Sequence, residues 1–445
     1  MISAKSRIIS FFVAIFMNGV KPPVTGGFSC DLNMLSPCKA ALWVFFLWPA
    51  LSVGQTQPGT VLCRDGNANF DAELRTGVKL HVGAARVGMG GTGTLATRAC
   101  AARLSWDKQE LLVATGASEL DLDAFGVDLG DGVPVAAFQV KKSDTDCCVD
   151  YAIYSLEKPP RLLRTVKGGG FFSASDVDLD GNVEVWTDDA LGVYGFEGLS
   201  LAELVAPTVV FRFAHGKLVD VSSEFRPYFD KEIDKIKAAI HPQDLENFRN
   251  SGGQAAAEPD TSTPERLHQL RAVKIKVLEI VWSYLYSGRE EEAWKALAEM
   301  WPRADAERIR SALIKARAAG IQSQADSRSS GPSMAKRKQA HVFDVSLPGM
   351  GHRLEVVSPK EILLELPPIA GSAVVGGHEA APGSELLLDL VIDAAGKVRS
   401  VTSAGRVEWA DPDQLKLASS WKFIPAYKDG RPVACRMRLA VSPKQ

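Results

Sequence analysis

Short runs of alternating apolar and polar residues, separated by Gly and Asp turns, occupy the chain from Val61 to Phe225. A period of two residues predicts β-strands that bury one face. The runs are Val78–Val82, Leu111–Ala114, Val133–Val140, Tyr151–Leu156, Val183–Trp186 and Thr208–Phe213. We therefore predict an all-β domain over residues 55–225.

Two segments of this region look like copies of each other, Val127–Val135 and Val177–Val185, offset by 50 positions. A repeat of this length is typical of propeller blades, but the region holds only about three such units and a closed propeller needs at least four. A sandwich or a partial repeat is an equally good interpretation.

The hydrophobic period becomes helical between residues 226 and 321, which predicts a small helical bundle. Thr263 as N-cap and Pro264 at the first helical position mark one helix start. The predicted helices are Phe229–Phe248, a segment from Thr263 to the turn at Gly288, a segment containing Ala293, Leu297 and Trp301, and Asp305–Ala319. Residues 322–340 are Ser-rich and then basic, and they predict a flexible linker.

Residues 341–445 show the pattern of an α+β domain of ββαβ order. A strand over Leu386–Asp393, a tight turn and a return strand over Val398–Val401 come first. A short helix over Asp413–Ser420 and a last strand over Val433–Val441 follow. The predicted fold is therefore multidomain: all-β, then helical, then α+β.

Three motifs stand in order in this last domain: Val-Ile-Asp-x-x-Gly-Lys-Val from Val391, Trp-Lys-Phe-x-Pro-Ala from Trp421 and Asp-Gly-Arg-Pro-Val from Asp429. In this order the motifs resemble the C-terminal domain of TonB-family energy transducers, over about 80 residues from Leu366. The resemblance implies a periplasmic domain that binds an outer-membrane receptor by adding a strand to its sheet edge. That edge would be Val433–Val441.

An acidic loop between two predicted strands has the spacing of a calcium site. Acidic side chains occupy positions 1, 3, 5 and 9 of the loop, and Gly181 at position 6 permits a sharp turn. The candidate ligands are Asp176, Asp178, Asp180, Asn182 and Glu184. Thr187 stands where an EF-hand needs Glu, so the loop instead resembles those of FG-GAP and VCBS-type repeats, which implies a structural Ca²⁺. The alternative is an acidic, solvent-exposed hairpin turn.

The N-terminal 54 residues predict an export signal. The apolar stretches Ile8–Met17 and Ala41–Leu51 are each shorter than a membrane-spanning helix. Lys39, the second stretch and the small residues before Gln55 form a signal-peptide pattern with cleavage after Gly54, and Met34 would then be the true start. A retained N-terminal anchor is the alternative.

Five of the seven cysteines follow the proposed cleavage site. Cys63 and Cys100 are predicted to form a disulfide in an oxidising compartment. The adjacent Cys147 and Cys148 are not expected to bond each other, because such a ring is strained. Cys435 is expected to be a buried free thiol.

Charge and motif content give no signal for several functions. Lys and Arg total 51 against 53 Asp and Glu, which gives no electrostatic case for nucleic-acid binding. The seven histidines are dispersed without a metal or nucleophile motif. Gly88–Gly93 matches GxGxxG, but it lies in a β region and predicts a hairpin loop.

Together these patterns predict an exported, non-enzymatic protein, periplasmic or secreted, of a Gram-negative-type envelope. Its partner would be another protein bound at the C-terminal sheet edge, with no nucleic acid and no small-molecule substrate. Two alternatives remain open at this point. One is an envelope hydrolase with its site in the β domain, and the other is a membrane-anchored TonB-like transducer.

Overall fold

The computed structural model describes residues 62–85, 99–143, 147–214, 216–253, 263–329, 341–345, 356–363, 386–404 and 412–441. All of them belong to one compact unit, Pro58–Gln445. The proposed signal region 1–54, the Gly88–Gly93 segment and the Leu366–Ala370 segment lie outside the described residues. The fold is rich in β-sheet and also contains helices, as predicted.

Residues 69–220 form three successive antiparallel meanders of four strands each. The first contains β2 (Asn69–Glu73), β3 (Lys79–Ala84), β4 (Cys100–Trp106) and β5 (Gln109–Ala117). The second contains β6 (Glu119–Asp128), β7 (Pro134–Lys141), β8 (Val149–Ser155) and β9 (Arg161–Gly169), with β1 (Cys63–Arg64) paired to β6. The third contains β10 (Phe172–Ser175), β11 (Glu184–Asp188), β12 (Thr208–Ala214) and β13 (Lys217–Asp220). The two sequence copies occupy equivalent turns, β6–β7 and β10–β11.

The second meander is buried on both faces. Phe138 and Tyr154 pack in a core shared with the first meander. Tyr151 and Ile153 point the other way, into a core shared with the third meander and the helices. Burial on both faces explains why Val133–Val140 is apolar almost without interruption.

The helical region contains a break that the sequence pattern did not predict. The helix predicted over Phe229–Phe248 is two helices, α2 (Arg226–Ala238) and α3 (Pro242–Arg249). Pro242 cannot continue a helix, and His241 before it is extended at ψ 133°. The other helices are α1 (Ala190–Val193), α4 (Pro264–Tyr286), α5 (Glu290–Met300) and α6 (Ala306–Ala319).

The first residues of the predicted linker belong to the fold. Ile321–Gln324 form a 3-10 turn, and β14 (Ser327–Arg328) pairs in parallel with β13. The buried Gln322 donates a hydrogen bond from Nε2 to Asp220 Oδ2 at 2.7 Å. Polar composition predicted a flexible segment here, but its side chains satisfy buried groups of the third meander.

The C-terminal strands follow the predicted ββαβ order with short additions. β18 (Leu386–Ile392), β19 (Val398–Ser403) and β23 (Cys435–Val441) lie in one sheet with β15 (Phe343–Asp344), and α7 is Pro412–Ala418. We call this four-stranded sheet the C-terminal sheet. The short strands are β16 (Val356–Val357), β17 (Lys360–Leu363), β20 (Lys422–Ile424), β21 (Ala426–Lys428) and β22 (Arg431–Val433).

The last strand is not a free edge along its whole length, contrary to the prediction. β15 pairs in parallel with Cys435 and Arg436, and Val345 N donates to Arg436 O at 2.8 Å. A segment that precedes the last strand by about 90 residues thus covers the start of this edge. Alternation within β23 could not reveal a partner so distant in sequence.

The cysteine predictions are correct except at one pair. Cys63 and Cys100 form a disulfide with an S–S distance of 2.01 Å. Cys435 is a buried free thiol, and burial raises its pKa to about 12. The expectation that Cys147 and Cys148 do not bond each other is wrong: they form a disulfide with a Cα–Cα distance of 3.7 Å. The remaining described thiol, Cys435, lies in the separate C-terminal core.

Candidate metal site and its contacts with the C-terminal sheet

The acidic loop forms the turn between β10 and β11. Ser175 ends β10 and Glu184 begins β11, so the loop residues come off two paired strands. Carboxylate oxygens of Asp176, Asp178 and Asp180 all lie within 4.8 Å of one another. The structure therefore brings together the side chains predicted for positions 1, 3 and 5.

Hydrogen bonds inside the loop hold this arrangement. Asp176 accepts from the Asp180 N–H and from the Gly181 N–H, each at 3.0 Å. Asp180 Oδ1 accepts from the Asn182 N–H at 2.8 Å. Gly181 has φ +85°, a conformation that glycine adopts without strain. The predicted need for glycine at position 6 is thus met.

The other two predicted ligands, Asn182 and Glu184, each make a side-chain hydrogen bond to another residue. The Asn182 side-chain amide donates to Asp180 Oδ2 at 2.9 Å. Glu184 Oε1 accepts from Arg212 Nη2 at 2.6 Å. The sequence pattern missed Arg212, because it lies on the neighbouring strand β12, opposite Glu184.

Glu184 nevertheless keeps one oxygen available. Its side chain is 1% exposed, and Oε2 has no hydrogen-bond partner within the described part of the chain. Burial raises its pKa to about 8 although Arg212 acts in the opposite direction, and the charges of Asp178 and Asp180 raise it further. A buried carboxylate oxygen without a hydrogen-bond partner is a group that a hard cation would satisfy.

The donor set fits calcium by its chemistry. Three clustered carboxylates and the spare oxygen of Glu184 are hard oxygen donors, which Ca²⁺ prefers. Thr187 takes no part, because its hydroxyl donates to Phe171 O. The other copy, Val127–Val135, is degraded, because Gly130 and Pro134 stand where the loop has Asp180 and Glu184. There Asp128 Oδ1 accepts from Gly130 N and Gly132 N, and Asp131 accepts from Gly216 N.

The first ligand of the loop contacts a residue that sequence analysis did not single out as functional. Asp393, in the β18–β19 turn, is fully buried, and its Oδ2 accepts from Asp176 N at 3.1 Å and from Ser175 Oγ at 3.2 Å. Burial first, and then the charge of Asp393, raises the pKa of Asp176 to about 7. The two residues are 217 positions apart, so no local pattern could pair them.

Two further charged contacts join the C-terminal segment to β6. Lys397 Nζ lies 2.6 Å from Asp123 Oδ1, and Lys422 Nζ lies 2.7 Å from Asp121 Oδ2. Together with Asp393, these two lysines are the charged residues of the first two C-terminal motifs. Within this chain, those motif residues face the β meanders.

No family model, no curated protein and no solved structure matches the chain. None of the helices in the described ranges has the length and apolar character needed to cross a membrane.

Proposed function

We propose that the chain is an exported, non-enzymatic binding protein of a Gram-negative-type envelope. Its C-terminal sheet would accept a strand from a partner protein, of which an outer-membrane receptor is one kind, and its β domain would be stabilised by Ca²⁺. The observation that carries the binding function is the outer edge of β23. Two disulfides support export, because they persist in oxidising compartments.

The available edge runs from Met437 to Val441. On one side these residues pair with β18, and on the other they have no strand partner among the described residues. Arg436 O accepts a bond from the β15 side, so alternation places the N–H and C=O of Arg438 and Ala440 on the same outer side. Such groups are what an added strand pairs with.

A proline at Ala440 tests the edge. Ala440→Pro removes one outward N–H, whereas Ala440→Val keeps it and serves as the matched control. Peptides selected from a random library on the full chain should protect Met437–Val441 from hydrogen exchange, and Ala440→Pro should abolish that binding. Selected peptides that bind all three proteins equally would refute strand addition at this edge.

Calcium removal tests the loop. We expect calcium at about a hundredfold excess over Kd to stabilise the full chain by about 3 kcal/mol, and a chelator to remove that gain. Asp178→Asn should abolish the shift, whereas Asp131→Asn, in the degraded copy, should leave it intact. A thermal melt that calcium does not change would reduce the loop to an ordinary acidic turn.

A further inference from the structure

We infer that cation binding by the Asp176–Glu184 loop and docking of the C-terminal sheet on the β meanders are energetically coupled through Asp393. The inference rests on the proposed calcium site and adds to it a regulatory consequence. In this scheme, the cation strengthens the contact between the two parts of the chain. Docking in turn strengthens cation binding.

The geometry places Asp393 directly behind the first loop ligand. Asp393 Oδ2 accepts from the backbone N–H of Asp176 and from the hydroxyl of Ser175, so its carboxylate adjoins the peptide that begins the loop. Its other oxygen accepts from Ala395 N and Lys397 N, each at 2.9 Å, which fixes it within its own turn. The turn and the loop therefore meet through one buried carboxylate.

The sign of the coupling follows from charge. Asp176 and Asp393 are both fully buried, and two like charges at close range in a poorly polar environment repel each other. A divalent cation held by Asp176 reverses the local charge, and Asp393 then attracts it. Because Asp393 reaches this position only when the C-terminal sheet is docked, docking and binding favour each other by the same factor.

Neighbouring cations keep the sheet docked when no metal is bound. Arg399 Nη1 donates to Ser175 Oγ at 2.9 Å, and Lys397 pairs with Asp123. These contacts partly offset the repulsion between the two carboxylates. We therefore expect a graded change in affinity and in protection, not a dissociation of the C-terminal sheet.

Calorimetric titration of the full chain with CaCl₂ tests the inference. Asp393→Asn removes the charge and keeps one oxygen, which can still accept the bonds from Ser175 and Asp176. The new amide NH2 then replaces the oxygen that accepts from Ala395 N and Lys397 N. We expect this variant to weaken calcium binding about tenfold. Asp389→Asn is the matched control, because Asp389 lies on the same β18–β19 hairpin but pairs with Arg438, away from the loop. Equal affinities of wild type and Asp393→Asn would overturn the coupling.

Hydrogen exchange of the wild type supplies a second measurement that does not depend on the Asp393 variant folding. Calcium should slow exchange in residues 392–399 of the wild type, and Asp178→Asn should abolish this effect. Calcium that protects the loop but leaves residues 392–399 unchanged would refute the coupling while leaving the cation site standing. Wild type that binds no calcium at all would refute both, so the two failures are distinguishable.

Discussion

Gly396 shows how one residue joins two segments of the C-terminal region. It has φ +77° in the β18–β19 turn, and its carbonyl accepts from Phe423 N at 2.9 Å. A Cβ built on Gly396 would lie 1.9 Å from Phe423 O. The residue is therefore required both for its backbone conformation and for the close approach of a second chain segment.

Gly396→Ala should lower the free energy of unfolding by about 3 kcal/mol, because backbone strain and a steric clash act together. Gly430→Ala is the matched control: it also has φ +77°, but a Cβ added there would meet nothing within 4 Å. We expect it to lose only about 1 kcal/mol. Equal losses in chemical denaturation would show that the approach to Phe423 has no energetic effect.

The carboxyl group of Glu279 should make the stability of the protein depend on pH. It lies on α4 and accepts from Val205 N at 3.2 Å, and burial raises its pKa from 4.5 to about 7. The folded state holds the Glu279 proton more tightly than the unfolded state does. The contribution of this group to the free energy of unfolding is therefore complete below pH 4.5 and is lost as the pH rises through 7.

Glu279→Gln should remove this part of the pH dependence. Between pH 5 and pH 8 the variant should lose less stability than the wild type, by about 2 kcal/mol. Denaturation curves at both pH values measure the difference. Glu246→Gln, on the exposed face of α3, is the control, and an identical pH profile for wild type and Glu279→Gln would contradict the prediction.

At the scale of elements, the edge of β9 is covered by a side chain. Gln324 Nε2 donates to Lys167 O at 2.6 Å, and its Oε1 accepts from Lys167 N at 3.0 Å. One amide thus imitates the two hydrogen bonds that a neighbouring strand would make. Arg164 adds a bond from Nη1 to Asp326 Oδ2 at 2.6 Å. Covering an edge in this way prevents pairing with other chains.

Gln324→Ala should therefore cost about 1 to 2 kcal/mol and speed hydrogen exchange at the Lys167 amide. The amide would lose its acceptor while the rest of β9 keeps its pairing with β8. Gln243→Ala, which removes one exposed side-chain bond to Asn247, should leave both measurements unchanged. Unaltered exchange at Lys167 would show that Gln324 does not close this edge.

At the scale of the whole molecule, the C-terminal segment joins the β meanders largely through polar contacts. Most of its apolar side chains pack in a core of their own. Ile424 and Tyr427 reach the core of the first two meanders, and Ala394 and Ala395 reach the other core. The charged pairs of Lys397 and Lys422 with β6 complete the contact.

Lys422→Met should weaken this contact, because it leaves Asp121 largely buried without its cation. We expect a loss of about 3 kcal/mol and a calorimetric unfolding profile in which the C-terminal segment melts before the meanders. Lys416→Met changes an exposed lysine of α7 and is the control. A single transition at an unchanged temperature would contradict a role for the pair.

Local signals predicted much of the fold. Thr263 accepts from Arg266 N as the N-cap, and the turn at Gly288 has φ +77°. The break at Pro242 was not predicted, although a proline inside a helical pattern is itself a signal that the helix ends or kinks. The candidate metal site was predictable in the same local way, since Asp176, Asp178 and Asp180 lie within one turn.

The amino-acid sequence by itself determined most of the strands, most of the helix ends, the Cys63–Cys100 pairing and the clustered aspartates, because each depends on neighbouring residues or on simple pairing rules. Only the tertiary structure decided that Asp393 lies behind the loop and that Gln322 satisfies Asp220. The tertiary structure likewise decided that Phe343 pairs with the start of β23. Such contacts join residues about 90 or more positions apart, on surfaces that several elements create together, and no periodicity along the chain records them.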